Sequence, residues 1–336
     1  MRAALERYLT TRWFGGVAPG PGLRAVAALY GALMRTRRWA YRSGLLGQRR
    51  LETPVIVVGN RTVGGAGKTP LVIAVVDALR ERGWRPGVVS RGHGRATAGA
   101  QRVTASSAPS EVGDEPLLIH CGTGVPVAVD VDRVAAARAL VEAGCDVLVA
   151  DDGLQHLRLG RVIEIEVQDA RGLGNGRVLP AGPLREPLPG RAADFRVVHG
   201  RAASADEVLM TLVLGDARRL ERDGVMAPVL RPLADFAGRR VHAVAGIGHP
   251  PRFFAALREA GLDPIEHPFP DHHAFVVEDF AAMRDAPILM TGKDAVKCRH
   301  LRLDDAWEVP VAAVLPEAFL VTLDHRLRES PRHVDP

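Results

Sequence analysis

Residues 55–70, VIVVGNRTVGGAGKTP, constrain the fold of this chain more than any other stretch. A β-branched run, Val55-Ile56-Val57-Val58, has the composition and length of a buried strand. A glycine-rich turn follows and ends in Gly64-Gly65-Ala66-Gly67-Lys68-Thr69. Apolar residues then recur at helical spacing: Leu71, Val72, Val75, Val76 and Leu79. Strand, glycine loop and helix bearing Gly-Lys-Thr together predict a phosphate-binding loop. Its glycines let backbone N–H groups close around phosphate oxygens, and the helix N-terminus adds partial positive charge. The nucleotide-binding set is Thr62, Gly64, Gly65, Gly67, Lys68 and Thr69. Lys68 is placed to reach the β/γ-phosphates and the Thr69 hydroxyl to hold Mg²⁺. The strict spacing asks for glycine at position 62, where this chain has Thr62.

The second constraint is the strand 145–152, CDVLVADD, which ends in two carboxylates. After a phosphate-binding loop, Asp151 or Asp152 is where a Mg²⁺-holding aspartate belongs. Gly153-Leu154-Gln155-His156 follows at the C-terminal edge of the strand, the edge on which α/β sheets keep their ligands. The predicted class is therefore α/β, with a mostly parallel sheet. A second α/β pattern starts near Val241, and 336 residues leave room for a smaller second domain. The expected division is 1–50 as basic N-terminal helices joined to the first domain, 51–205 as the phosphate-loop domain, 206–235 as an extended linker, and 236–336 as the smaller domain.

Charge is unevenly distributed. Residues 1–50 carry ten arginines and one acid, Glu6, a balance of +9, against −4 for the rest. Nucleic-acid binding more often spreads basic charge over a folded face, so no nucleic-acid partner is expected. Leu5, Tyr8, Leu9 and Trp13 fall at helical spacing among arginines, and 23–34 is a short apolar stretch before Arg35, Arg37, Arg38 and Arg42. That stretch is shorter than the ~20 residues a bilayer span needs. Its composition suits an anionic membrane surface. Cys121, Cys145 and Cys298 lie far apart and show neither metal spacing nor a disulfide framework, which fits a reducing compartment.

Other segments carry chemistry less directly. Residues 96–112 have the composition of a surface loop. In Gly113-Asp114-Glu115-Pro116, Asp114 can act as a helix N-cap. The Ile/Glu alternation of 162–167 predicts a partly exposed strand. Residues 172–189 form a loop dense in Gly and Pro that contains Arg185-Glu186, and a long ordered loop in a compact domain is commonly functional. Asp271-His272-His273 hints at metal, but adjacent histidines rarely share one ion, so a catalytic or orienting histidine is the better reading. The tail beyond 326 is polar.

Seven motifs stand in one order: VGNRTVGGAGKTP at 58–70, SRGHGR at 90–95, GDEP at 113–116, DDGLQH at 151–156, LPAGPLREP at 179–187, FPDHHAF at 269–275 and MTGKDAVKC at 290–298. In this order the chain closely resembles the tetraacyldisaccharide 4′-kinases, the lipid A 4′-kinases of Gram-negative bacteria. The loop T-V-G-G-x-G-K-T of that family accommodates Thr62. His93 stands where the family often has Tyr, and Gly292 where it often has Glu. The resemblance implies transfer of the ATP γ-phosphoryl, with Mg²⁺, to the 4′-hydroxyl of a tetraacylated glucosamine disaccharide 1-phosphate. It also implies a peripheral enzyme on the cytoplasmic face of the inner membrane; the sequence does not give its oligomeric state, and a monomer is the default expectation. It makes Asp114 the acceptor of the hydroxyl proton, His272 its partner, and Lys68 the phosphate-clamping cation. Glu115, Arg133, Gln155, His156, Arg185 and Glu186 become candidates for substrate or phosphate contact. A GTP-binding switch is the alternative, but neither Asn60 nor Asn175 precedes a lysine as a guanine-reading motif requires.

Overall fold

The computed structural model describes residues 8–93, 95, 99–220 and 229–330 in full, and the backbone of 2–7. Several expected features lie outside what is described: the side chains of Arg2, Leu5 and Arg7, Gly94 of the 90–95 motif, 96–98 of the expected surface loop, 221–228 of the expected linker, and the tail past 330.

The first body is built on an eight-stranded sheet with strands β1 Val55–Gly59, β2 Pro86–Ser90, β3 Gln101–Arg102, β4 Val127–Val129, β5 Val147–Asp151, β6 Ile163–Gln168, β7 Phe195–Val198 and β8 Glu207–Leu209. Their order is β3-β4-β2-β5-β1-β6-β7-β8. Every neighbouring pair is parallel except β3 with β4. Helices cover a parallel sheet on both faces, so the central strands are apolar throughout. In β1 all five residues are buried, as are all five in β5. Helices α1 Arg2–Phe14, α2 Pro21–Arg42, α3 Lys68–Glu81, α4 Pro109–Val112, α5 Asp114–Thr123 and α6 Arg133–Glu142 belong to this body. The apolar stripe read from the sequence (Leu71, Val72, Val75, Val76, Leu79) is the buried face of α3.

Strand β9, Thr211–Leu214, carries the chain toward a second sheet. That sheet contains β10 Ala217–Arg219, β11 Leu230–Arg231, β12 Arg240–Ala245, β13 Asp263–Pro268, β14 Ile288–Thr291 and β15 Ala306–Val309, in the order β11-β10-β15-β14-β12-β13. Helices α7 Pro250–Glu259 and α8 Gly292–Cys298 belong to it. The chain leaves through β16, Val311–Val314, which pairs antiparallel with β9. It ends in helix α9, Glu317–Glu329, whose Phe319, Leu323 and Leu327 join the core of the first body.

Two expectations change here. The span 206–235 is not a plain linker, because β8 extends the first sheet while β10 and β11 belong to the second. Nor does the second body run to the end of the chain, since α9 buries its apolar face against α3 and the first sheet. Trp84 also donates its indole N–H to Asp324 of α9 at 2.7 Å.

Strand β6 departs from the partly exposed strand expected of an Ile/Glu alternation at 162–167. Glu164 and Glu166 are buried. Each is charge-paired: Arg161 with Glu164 at 3.0 Å and Arg61 with Glu166 at 2.8 Å. A buried carboxylate is tolerated only with such partners. Glu166 lies beside Gly59 in the β1–β6 register, so its pair with Arg61 fixes the chain as it leaves β1.

Candidate active site

The phosphate loop lies between β1 and α3. Gly67 caps α3 in the left-handed region, at φ 79°, and a Cβ there would come within 2.8 Å of the His199 ring. No L-side chain fits that position. Thr62 is explained by its neighbours: it forms an antiparallel bridge with Leu184. Val63 N donates to Pro183 O at 2.9 Å, and Arg185 N donates to Arg61 O at 2.7 Å. The approach to the loop is thus zipped to the 179–187 segment in an extended pairing, where a β-branched residue is favourable. His199, buried beneath the loop, lies 3.0 Å from Ala66 O through Nε2.

Lys68 opens α3. Its Nζ is 3.3 Å from Asn60 Oδ1 and 3.7 Å from Asp152 Oδ1. Asn60 was not singled out from sequence; its position at the end of β1, within VGNRT, was the available signal.

Asp151 and Asp152 end β5 in different environments. The β1–β5 register sets Asp151 opposite Val58, beside the start of the loop. Asp151 is 1 % exposed. Ser90 Oγ donates to its Oδ2 at 3.4 Å, while Oδ1 is buried without a partner. Burial, then the charges of Glu115 and Asp152, push its carboxyl up to about 7. Asp152 takes a left-handed backbone, at φ 48°. Arg185 Nη1 donates to both of its carboxylate oxygens at 2.7 Å. Burial pushes the Asp152 carboxyl up, but Lys68 and Arg185 outweigh it and hold it below the usual range. One carboxylate is therefore clamped by cations, while its neighbour keeps an open oxygen.

The remaining candidates of this motif surround the pair. Arg133 is buried and donates to the Asp152 carbonyl at 2.7 Å, so it braces the turn instead of offering a free cation. Gln155 Nε2 donates to Asn60 O at 3.2 Å and to Glu186 at 3.4 Å. Glu186 faces Arg38 at 4.0 Å. Burial, then Arg133 and Arg161, hold His156 down at about 4, so it is neutral near pH 7, and its Nε2 is buried without a partner.

The fourth element comes from the second body. Asp114 opens α5, with Gly113 rather than Asp114 as the N-cap. His272 Nδ1 lies 2.9 Å from Asp114 Oδ2. His272 has φ 62°, a left-handed conformation that a non-glycine residue holds only when its surroundings impose it. His93 stacks near it, with ring centroids 5.9 Å apart. Glu115, next to Asp114, lies near enough to Asp151 to raise it, which brings the α5 N-terminus alongside β5. The neighbouring His273 is used otherwise: its Nε2 is 2.9 Å from Asp279, and its ring packs on Phe269 and Phe275. Among the described residues no His/Cys/Asp/Glu cluster has the geometry of a metal cage.

Helices α1 and α2 rest on the same loop. Trp13 Nε1 donates to Pro180 O at 2.9 Å, Tyr30 Oη to Arg185 O at 2.7 Å, and Arg37 to Gln155 O at 3.0 Å. Arg38 donates to Pro187 O and Pro189 O at 3.2 Å each. Val26, Leu29 and Leu33 of α2 are exposed. No helix among the described residues is long and apolar enough to cross a membrane.

Comparison with known proteins points one way. Residues 21–328 match the family model described as LpxK, tetraacyldisaccharide-1-P 4′-kinase. The tetraacyldisaccharide 4′-kinase of Xanthomonas campestris pv. campestris (strain 8004) is 49 % identical over 339 residues, covering 96 % of this chain and 97 % of its own. That of Stenotrophomonas maltophilia (strain R551-3) is 50 % identical over 323 residues, covering 94 % and 95 %. A crystal structure of the "apo" form of LpxK from Aquifex aeolicus in complex with ATP superposes with a TM-score of 0.78 at 29 % identity, over 90 % of this chain and 97 % of that one.

Proposed function

The chain belongs to the tetraacyldisaccharide-1-P 4′-kinase family, and from that premise we infer which of its residues carry each part of the transfer. It is an ATP-dependent phosphotransferase that phosphorylates the 4′-hydroxyl of tetraacyldisaccharide 1-phosphate in lipid A biosynthesis. Phosphoryl transfer asks a protein for positioning, charge neutralisation and a poised hydroxyl. The observation that carries our assignment is the meeting, at one sheet edge, of a phosphate loop and a carboxylate–imidazole pair drawn from two bodies.

Gly64, Gly65, Gly67, Lys68 and Thr69 cradle the ATP phosphates. Asn60 and Asp152 hold Lys68 in reserve from two sides. Thr69 and Asp151 are the residues that would hold Mg²⁺; the free, buried Asp151 Oδ1 is the kind of oxygen a hard cation takes. When bound, the ion neutralises charge on the β- and γ-phosphates. Asp114 accepts the proton of the 4′-hydroxyl, with His272 orienting its carboxylate. Glu115, Gln155, His156 and Glu186 line the acceptor side, and Arg133 and Arg185 shape the Asp152 turn.

The deciding experiment incubates the full-length protein with [γ-³²P]ATP, Mg²⁺ and tetraacyldisaccharide 1-phosphate in detergent. Label appears in the lipid. A protein that binds ATP and labels no lipid overturns the assignment of acceptor.

The Mg²⁺ assignment has a readout besides turnover. A carboxyl whose folded-state value lies above its unfolded one is a burden that grows as pH rises through that interval, and for Asp151 the burden is complete above about 7. In metal-free buffer at pH 8, Asp151→Asn is expected to raise the thermal midpoint by about 2–5 °C, the worth of relieving one unpaired buried charge. Added Mg²⁺ stabilises the wild type and not the variant. Equal stabilisation of both by Mg²⁺ would place the ion elsewhere.

Peripheral seating on an anionic membrane surface at the cytoplasmic face is supported by α2. Its Val26, Leu29 and Leu33 are exposed, and so are Arg24, Arg35 and Arg42 of the same helix. Leu29→Glu/Leu33→Glu is expected to lower sedimentation with anionic vesicles at least tenfold while leaving turnover of detergent-dispersed substrate near wild type. Unchanged vesicle binding would remove α2 as the contact.

A further inference from the structure

The Asp114–His272 pair does not stand alone. Lys293, in the first turn of α8, reaches into it from behind. Its Nζ donates to Asp271 Oδ1 at 3.0 Å and lies 3.5 Å from His272 Nε2 and 3.8 Å from Glu115 Oε1. The Lys293 side chain is only 16 % exposed. Burial works against its charge, but Glu115, Asp271 and Asp114 more than offset it, and the ammonium holds its proton more tightly than usual. It is a fixed cation at the imidazole edge that faces away from Asp114.

This arrangement leaves the imidazole one comfortable state. An ammonium has three donors and no acceptor, so the nitrogen it faces must offer a lone pair. Were the imidazole proton on Nε2, it would point at the ammonium. Nδ1 would then set a lone pair against Asp114 Oδ2 at 2.9 Å, two acceptors in contact with no proton between them. The doubly protonated ring removes that second conflict but keeps the N–H directed at the cation. Only the Nδ1–H tautomer satisfies both sides: Nδ1–H donates to an ionised Asp114, and Nε2 accepts from Lys293.

Resting on the assignment of Asp114 and His272 made above, we propose that Lys293 is a positioning residue that fixes His272 as the neutral Nδ1–H tautomer and so keeps Asp114 ionised and free to take the acceptor proton. The same ammonium anchors the backbone that presents the ring. Asp271 Oδ1, which it holds, also accepts the His272 N–H at 3.1 Å, within the left-handed turn. Among the described residues, the charged and titratable groups around the Lys293–His272 contact come from four elements. Asp114 and Glu115 come from α5, Asp271 from its own loop with Oδ2 3.9 Å from Nε2, Lys293 from α8, and His93 from the loop after β2. Lys293 is the fixed cation of this set, so its removal leaves Asp114, Glu115 and Asp271 with no cation beside the ring.

Two measurements on the full-length enzyme test this. In ¹⁵N-histidine-labelled wild type, the His272 ring, assigned by its loss in His272→Ala, shows the ¹⁵N–¹H pattern of an Nδ1–H imidazole at pH 8. A ring found as Nε2–H overturns the proposal without any Lys293 variant. The pH profile of kcat/KM with tetraacyldisaccharide 1-phosphate is then recorded for the wild type, Lys293→Arg and Lys293→Met. The acid limb is expected to move up by about 0.5–1 pH unit in Lys293→Met, as loss of a charge ~4 Å away at a half-exposed site implies, and to stay in place in Lys293→Arg. A merely structural lysine would scale the whole profile and leave the limb where it is; that result overturns the proposal. Asp114→Ala and His272→Ala run alongside. If neither loses turnover, the proton-acceptor assignment itself has failed, which is distinct from a wild-type dyad whose limb ignores Lys293.

Discussion

Asp114→Ala and His272→Ala are each expected to lower kcat by about 10²–10⁴-fold, the usual worth of a positioned general base. The two should not multiply. His272 acts through the carboxylate it orients at 2.9 Å, so the double variant should lie close to the Asp114 single variant. ATP binding, measured by a fluorescent ATP analogue, stays near wild type in both, because neither residue lies in the phosphate loop. A double variant whose loss equals the product of the singles would mean two independent roles. Wild-type kcat in both singles would end the assignment. The geometry needs no further closure to form the pair: the second body already presents His272 to Asp114.

Lys68→Ala is the second large effect, about 10²–10³-fold in kcat, comparable to removing one preorganised donor from a developing negative charge. The structure adds a specific consequence. Lys68 is one of three cations holding Asp152 down, with Arg185 and Arg133. Removing it leaves Asp152 with the two arginines and deprives Asn60 Oδ1 of its lysine donor. Lys68→Arg should therefore keep the charge on Asp152 yet fail to restore transfer, because a planar fork does not reproduce a compact ammonium beside phosphate. Substantial kcat in Lys68→Arg would indicate that the lysine serves the turn more than the nucleotide.

Much of the first body was legible because its signals are local. A β-branched run, glycines and Gly-Lys-Thr must fold as strand, loop and helix, and CDVLVADD is apolar enough to be central. What escaped depends on partners distant in sequence. The Ile/Glu alternation of 162–167 reads as a partly exposed strand because its glutamates look solvated. Nothing within β6 announces that Arg61 and Arg161 will neutralise them. The placement of β8 and of the C-terminal segment escapes for the same reason: a local pattern states that a face is buried, not against which body. Within the site, Asp114 and His272 lie 158 residues apart and were paired through resemblance. Lys293 sat unassigned inside a recognised motif, because only the fold brings α8 behind the ring. Arg133, expected as a substrate contact, is occupied by the carbonyl of Asp152.

The ribbon β9–β16 gives the molecule its plan. Leu214 pairs with Val311, and Gly215 N donates to Pro310 O at 2.9 Å. The two passages of chain into and out of the second sheet thus run side by side as one hairpin, with everything from 217 to 309 hung from its tip. The ribbon is not the sole attachment: Val296 of α8 packs into the core of the first body, Arg252 reaches His199 at 3.1 Å, and Arg299 reaches Cys121. Joining 214 to 311 through a tight turn would keep the phosphate loop, its strand and both acidic residues of β5 in the sequence, while removing His272, Lys293 and the Val296 that packs into the first core. Binding and transfer are in this sense written into different stretches of one chain.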